Sequence, residues 1–209
     1  MSKKISDAVV RRLPKYYHCL SELQNDGIKK ISSVIISGLL NLTASQVRQD
    51  FSCFGELGQQ GYGYDVDFLK GKIGEVLGLN RTYSMILIGA GNIGRALSGY
   101  KGFAKEGFII EAVFDKREVE IENYEVQNIS GLEEYIAAHG VDIAIIATDA
   151  QNAKECAARC VKSGVKAIWN FAQIDLYFGE DVAVQNISMT DNLMLLTFNM
   201  ANYQRIQQQ

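Results

Sequence analysis

Histidine and proline are scarce in this chain. Two histidines, His18 and His139, and one proline, Pro14, stand among 209 residues. His139 falls in the last turn of an expected helix, where partial positive charge suits the helix dipole. His18 sits between Tyr17 and Cys19 and reads as a partly buried helix residue. Neither is placed as a catalytic base, and no catalytic residue is assigned. The four cysteines, Cys19, Cys53, Cys156 and Cys160, lack metal-ligand spacing, so no metal site is expected. Cys156 and Cys160 are four apart beside Ala157 and Ala158 and read as buried packing thiols in a reducing cytoplasm. No apolar run approaches the ~20 residues of a membrane span. The opening MSKKISDAVVRRLPKYY has no apolar core leading to a small-residue cleavage site, which argues against a signal peptide.

Charge of one sign is also missing as a dominant feature. The net charge is −3, with 47% hydrophobic and 22% charged residues, as in an ordinary soluble globular protein. The balance is uneven along the chain. Residues 1–78 carry ten Lys and Arg against eight Asp and Glu, and the remainder carries eleven against sixteen. The more basic first part permits a nucleic-acid partner without requiring one.

Residues 83–94 read YSMILIGAGNIG. Met85 to Ile88 form a short apolar strand, Gly89-Ala90-Gly91-Asn92-Ile93-Gly94 a turn, and the following residues are compatible with a helix. This is a GxGxxG pattern in the context it requires, strand before and helix after. The first glycine allows the tight turn, the second lets a pyrophosphate approach bare backbone, and the third lets helix pack on strand. Free N–H groups at the new helix end favour phosphate. A second strand over 108–114 ends at Asp115, whose carboxylate can accept both adenosine ribose hydroxyls and repel a 2′-phosphate. NAD is therefore expected over NADP, although Lys116 and Arg117 leave room for the latter.

Before the glycine loop the chain reads as helical. Ser6 is an N-cap candidate for a helix over 7–13, which Pro14 breaks or kinks unless it starts a second helix in its first turn. Tyr16, Tyr17, Leu20 and Leu23 give an apolar face up to the stop signal Asn25-Asp26-Gly27. Ser32 and Ser33 cap a helix over 34–40, and Thr43 caps another over 44–51. Two short helices joined by about three residues form a helix-turn-helix pattern. The second would present Ser45, Gln46, Arg48 and Gln49 to base edges and phosphates in a major groove. Gly55 to Val66 reads as a glycine-rich hairpin whose Gln-Gly turn would make a wing beside the second helix, or as a hairpin that only packs on the helices. A helix over 67–77 and a linker over 78–81 follow.

After the glycine loop a βαβ rhythm continues: helix 132–138, strand 141–148, helix 149–163, strand 165–171 and strand 182–187. Such alternation means an open parallel sheet with its ligand at the strand C-terminal ends, placing Thr148 and Phe171 beside the cofactor. The tail, 189–209, is a helix with Leu193, Leu196, Met200 and Tyr203 at three- to four-residue spacing. Coming after the sheet is complete, it needs another surface, and a second subunit offers one.

Together these parts resemble the bacterial redox-sensing transcriptional repressors of the Rex family. The resemblance covers nearly the whole chain and is carried by RRLPKYY (11–17), QVRQDFSCFGELGQQGYGY (46–64), LIGAGNIG (87–94) and WNFA (169–172). It implies an α/β protein with an N-terminal winged helix-turn-helix domain (1–78), a Rossmann domain holding NADH or NAD⁺ (79–188), and a C-terminal domain-swapped dimerisation helix (189–209). It implies a homodimer on a double-stranded inverted-repeat operator, released when NADH binds. By position, Ser45, Gln46, Arg48, Gln49 and Gln59 to Tyr62 would contact DNA. Gly89 to Gly94 and Asp115 would hold the dinucleotide, and Arg12 and Tyr100 would couple the domains. Three positions depart from the family pattern: Ser188 where an acidic partner of that network is expected, Gln59-Gln60 where lysine is common, and Gln173 where proline is expected. A small dehydrogenase is the rival enzyme reading, for which the chain offers neither a substrate domain nor a placed acid or base. A nucleotide- or CoA-binding module acting through protein contacts is the other.

Overall fold

Pro14 starts a helix rather than ending one. In a computed structural model that describes residues 5–55, 58–59 and 63–207, with the backbone alone at 58–59 and 202–207, helix α1 spans Asp7–Val10 and α2 spans Leu13–Asn25. The proline lies in the first turn of α2, where its missing N–H leaves no hydrogen bond broken. The first helix thus stops short of the expected 7–13, and His18 is exposed on α2 rather than partly buried. The chain divides into two compact units, Met1–Arg81 and Thr82–Gln209.

In the first unit, β1 (Lys30–Ile31) is followed by α3 (Ser33–Leu40) and α4 (Ala44–Phe51). Each helix start is fixed by a hydroxyl that accepts an otherwise unpaired N–H: Ser32 Oγ from Ile35 at 3.2 Å and Thr43 Oγ1 from Gln46 at 3.1 Å. Between them Asn41 adopts left-handed geometry (φ +52°), which asparagine tolerates, and α3 ends there. Strands β2 (Gly58–Gln59) and β3 (Gly63–Asp65) pair antiparallel, and β1 adds to the far side of β3. Asp65 then caps α5 (Val66–Leu77). The helices close over Leu13, Tyr16, Leu20, Val47, Phe51, Leu69 and Ile73, all buried. Tyr16, Phe51 and Tyr64 stack edge to face, with centroids 4.9 and 5.1 Å apart, so the core reaches the hairpin. Lys30–Ile31 is too short to show periodicity, and only its pairing with β3 makes it a strand.

The second unit opens with β4 (Tyr83–Ile88), α6 (Asn92–Ser98), α7 (Gly102–Lys105) and β5 (Phe108–Asp115). Strand β6 (Val126–Asn128), α8 (Leu132–His139), β7 (Ile143–Ile146), α9 (Ala150–Lys162), β8 (Ala167–Asn170) and β9 (Ala183–Asn186) follow. The six strands are parallel in the order β6-β5-β4-β7-β8-β9. Counted within this unit that is 3-2-1-4-5-6, the doubly wound order of a Rossmann sheet. The apolar strands are buried on both faces: Ile86, Ile88, Ala144 and Ile146 face one core, and Met85, Leu87 and Ile145 the other. The short α7 and the edge strand β6 were not expected from sequence. His139 does lie in the last turn of α8, its Nδ1 2.9 Å from the Tyr135 carbonyl and its ring stacked on Tyr135.

Helix α10 (Met189–Gln207) ends the chain. Its large apolar side chains Leu193, Met194, Leu195, Leu196, Phe198 and Met200 are all exposed. Among the described residues no helix is long and apolar enough to cross a membrane.

Candidate functional site

The order of the second sheet reverses between β4 and β7, and ligands of such sheets bind in the crevice beyond the strand ends at that reversal. Here the crevice is a cleft of about 440 Å³. Its lining includes Gly89, Gly91, Asp115, Lys116, Arg117 and Thr148.

Gly89 leaves β4 with φ +104°, and a Cβ there would come within 2.6 Å of the Ala147 carbonyl oxygen at the end of β7. Only glycine satisfies both the conformation and the approach. At Gly94 a Cβ would overlap the Gly89 carbonyl oxygen, so α6 packs on the turn through a missing side chain. Gly91 is different in kind. Nothing lies within 4 Å of a Cβ built there, and its φ of −76° suits any residue. Among the described residues its glycine answers no neighbour, and it leaves room for a ligand. That open cradle fits a pyrophosphate.

Asp115 ends β5 almost wholly buried. Its Oδ2 accepts the Ala90 N–H at 2.8 Å, and its Oδ1 accepts the Arg117 backbone N–H at 2.9 Å. Burial opposes ionisation, but the Arg117 side chain and these two N–H groups outweigh it and hold the carboxyl below the usual carboxylate range. On the other wall Asp149 caps α9, accepting the Asn152 N–H at 3.0 Å. The cap aims Asn152, Glu155, Cys156 and Arg159 into the cleft, positions spaced three, four and seven apart along the first turns of α9. Of these four the sequence singled out only Cys156, as a packing thiol; the spacing that puts Asn152, Glu155 and Arg159 beside it becomes readable once Asp149 is seen to cap α9. Cys156 and Cys160 are buried, and burial pushes the Cys160 thiol up to about 12. Cys53 is half-buried.

A second cleft, about 380 Å³, lies at the ends of β8 and β9 and includes Ile93, Phe171, Gln173, Ser188 and Asp191. Gly89, Gly91, Asp115 and Thr148 therefore line one cleft and Ile93 and Phe171 the next, with the Gly89–Gly94 turn reaching both. Ala90, Asn92 and Gly94 line neither; Ala90 contributes its N–H to Asp115. Two asparagines build the second cleft. Asn170 donates to the Ile174 carbonyl (2.7 Å) and to Asn186 Oδ1 (2.8 Å), and accepts the Ala172 N–H (3.0 Å). Asn186 in turn holds the N–H and carbonyl of Leu176. The loop carrying Gln173 is thus fixed by side chains, without proline.

In the first unit α4 buries Val47, Asp50 and Phe51 and exposes Ser45, Arg48 and Gln49. Arg48 donates to Ser33 Oγ at 3.2 Å. Gln46 is half-buried and gives its amide to Asp50 Oδ1 at 2.8 Å. Gln59 pairs through its backbone opposite Gly63, while Gln60, Gly61 and Tyr62 lie outside the described residues. Arg12 holds Asp50. Tyr100 belongs to the second unit, exposed and packed edge-on against Phe103. Ser188 Oγ accepts the Asp191 N–H at 3.2 Å and so caps α10.

Two family descriptions match the chain: "Putative DNA-binding protein N-terminus" over residues 4–52 and "CoA binding domain" over residues 80–174. The redox-sensing transcriptional repressor Rex of Caldanaerobacter subterraneus is 45% identical over 96% of this chain and 92% of its own length. Its Clostridium botulinum counterpart is 47% identical over 93% and 95%. Among solved structures, the Rex-family repressor RSP in complex with β-NAD⁺ and operator DNA superposes with a TM-score of 0.89 at 40% identity, covering 99% of this chain and 97% of that one. RSP in complex with β-NADH gives 0.85 at 37% identity, covering 99% of each.

Proposed function

The chain belongs to the Rex family of redox-sensing transcriptional repressors, and we propose that it represses transcription by binding an inverted-repeat DNA operator as a homodimer that NADH releases. The observation that carries this reading is the pairing in one chain of an exposed helix-turn-helix face with an open glycine cradle at the reversal point of a Rossmann sheet.

Work divides along the chain. Residues 1–78 bind DNA, through Ser45, Gln46, Arg48 and Gln49 on α4 and through the wing residues Gln59 to Tyr62. Residues 79–188 hold NADH or NAD⁺. Gly89 to Gly94 make way for the pyrophosphate, Asp115 and Thr148 serve the adenosine half, and Phe171 serves the nicotinamide half. Residues 189–209 form the exchanged helix of the dimer, and the exposed apolar side chains of α10 support that role. Arg12, Tyr100 and Ser188 carry the signal between domains. Operator and dinucleotide meet in the cytoplasm, where we place the protein.

The dinucleotide supplies binding free energy that differs with the redox state of its nicotinamide. Repression then follows from linkage: if NADH prefers the dimer state that fits DNA poorly, DNA must weaken NADH binding by the same factor. A tenfold change in operator affinity requires about 1.4 kcal/mol of coupling. The protein acts by binding, not turnover.

The test is fluorescence anisotropy of a labelled inverted-repeat operator at fixed salt, titrated with protein and then with NADH or NAD⁺. Release by NADH at concentrations where NAD⁺ leaves the complex intact is the expected result. Specific binding that ignores both nucleotides would remove the redox reading, and absence of specific binding would remove the repressor reading.

A further inference from the structure

Asp115 has no acceptor site to spare. Besides the N–H groups of Ala90 and Arg117, it receives the Arg117 guanidinium, Nε to Oδ1 at 3.2 Å and Nη2 to Oδ2 at 3.4 Å. A carboxylate offers about four lone-pair sites, and four donors occupy them. Two of those donors are backbone groups fixed by the strand ends. The other two belong to a side chain that is 61% exposed and that solvent can therefore take over from the carboxylate. A ribose diol can reach Asp115 only if the guanidinium moves off it.

The guanidinium that moves stays in the same cleft. Arg117 and Lys116 both line it, on the wall that Asp115 closes. The carboxylates facing this wall are Asp149, turned onto Asn152 by two hydrogen bonds, and Glu155. Arg159 lines the far side, held by Glu133. Three cations therefore stand against three carboxylates in the lining, so the cleft does not repel an anion overall. An unpaired Asp115 would repel a phosphate on the ribose 2′ oxygen. A planar guanidinium beside it can instead pair with that phosphate through two parallel hydrogen bonds while still neutralising the carboxylate, with Lys116 as a second point charge.

We propose that Arg117 sets the adenosine-side specificity of this site and lets it take a 2′-phosphorylated dinucleotide, NADPH, alongside NADH. This rests on the reading that the cleft beside Gly91 holds the adenosine half. Arg117 acts as a movable lid on Asp115: it swings clear for a ribose diol and stays to bind a ribose phosphate.

The experiment is calorimetric titration of the full-length protein with NADH and, separately, NADPH, in the wild type and in Arg117→Gln. The wild type should bind NADPH within about tenfold of NADH, and Arg117→Gln should weaken NADPH by about tenfold or more while leaving NADH unchanged or tighter. Retained NADH affinity also shows that the variant is folded. A wild-type preference for NADH beyond that margin, or equal loss of both ligands in the variant, overturns the proposal. A wild type that binds neither dinucleotide overturns the cofactor reading beneath it, a result distinct from loss of NADPH alone.

Discussion

Arg12 grips Asp50 with two hydrogen bonds, Nε to Oδ2 at 2.7 Å and Nη2 to Oδ1 at 2.8 Å, and so fastens the start of α2 to the middle of α4. The Tyr16 hydroxyl (2.8 Å) and the Gln46 amide (2.8 Å) complete the shell around a carboxylate with no exposed surface. A buried carboxylate is tolerable only with such partners. The helix that would read DNA is thus anchored by the residue that family resemblance assigns to coupling between domains. Any change that draws Arg12 away from Asp50 would leave that carboxylate short of two donors and loosen the hold of α2 on α4.

Asp50→Ala should destabilise the first unit by about 3 kcal/mol, the low end for breaking a buried pair, because the Arg12 side chain is 26% exposed and keeps some hydration. Trp169 lies on β8 in the second unit, so its fluorescence reports that unit. Urea unfolding followed by amide exchange should show the first unit opening earlier while the tryptophan transition stays in place. Coincident shifts of both would mean that the two units unfold as one.

The same pair predicts an acid-sensitive first unit. Burial works against the Asp50 charge, but hydrogen bonds from Arg12, Tyr16 and Gln46 outweigh it, so its carboxyl lies below the usual range in the folded state. A group depressed on folding stabilises above its unfolded value, about pH 4, and that contribution is lost as pH falls through the folded value. Amide protection in the first unit should therefore drop as pH falls below about 4, once intrinsic exchange rates are allowed for. In Asp50→Asn the share due to this group should vanish. An identical pH profile in the variant would rule out Asp50 as its source.

Two glycines three positions apart in the same turn should behave oppositely. Gly94→Ala drives a Cβ into the Gly89 carbonyl and should destabilise the second unit by about 2 kcal/mol or more. Gly91→Val meets empty space, so thermal unfolding should be near wild type while NADH affinity falls by about a hundredfold. Retained NADH affinity in Gly91→Val would sink the placement of the pyrophosphate.

Much of this was readable in the chain because its signals are local. Ser32 and Thr43 cap the helices they precede, the glycine loop sits between strand and helix, and Asp115 ends the next strand. What stayed hidden depends on partners far along the chain. Arg12 and Asp50 are 38 residues apart, and no periodicity links them. Lys30–Ile31 and Val126–Asn128 are strands only because β3 and β5 offer them edges. Asn170 and Asn186 look like ordinary polar residues until parallel pairing sets them opposite each other. Ser188 was readable another way: a serine three residues before an aspartate is a helix-start signature, and the hydroxyl does cap α10.

Arg48→Ala should weaken operator binding by about 1–3 kcal/mol and lessen its salt dependence. The exposed Arg48 side chain donates to the Ser33 hydroxyl at 3.2 Å in a bond open to solvent, so its loss should leave the fold intact. NADH titration should be unchanged. Parallel loss of both ligands would mean that Arg48 supports folding.

Helix α10 makes the last prediction. Leu193, Leu195, Leu196 and Phe198 are each more than half exposed, and they do not fall on one narrow stripe. A helix apolar on several sides is ordinarily enclosed, and one left in water would invite aggregation. A second copy of this chain would enclose it, and exchange of the helix would bury the same residues on both subunits at once. Each substitution then acts twice per dimer. Leu193→Asp combined with Leu196→Asp places four carboxylates in that interface and should raise the dimer dissociation constant by at least about a hundredfold. Sedimentation should show a monomer whose second unit keeps its tryptophan unfolding transition, because among the described residues the cores of the sheet contain none from α10. Operator affinity should fall with it, since one recognition helix can occupy only one half-site. A variant that still sediments as a dimer would show that the subunits meet elsewhere.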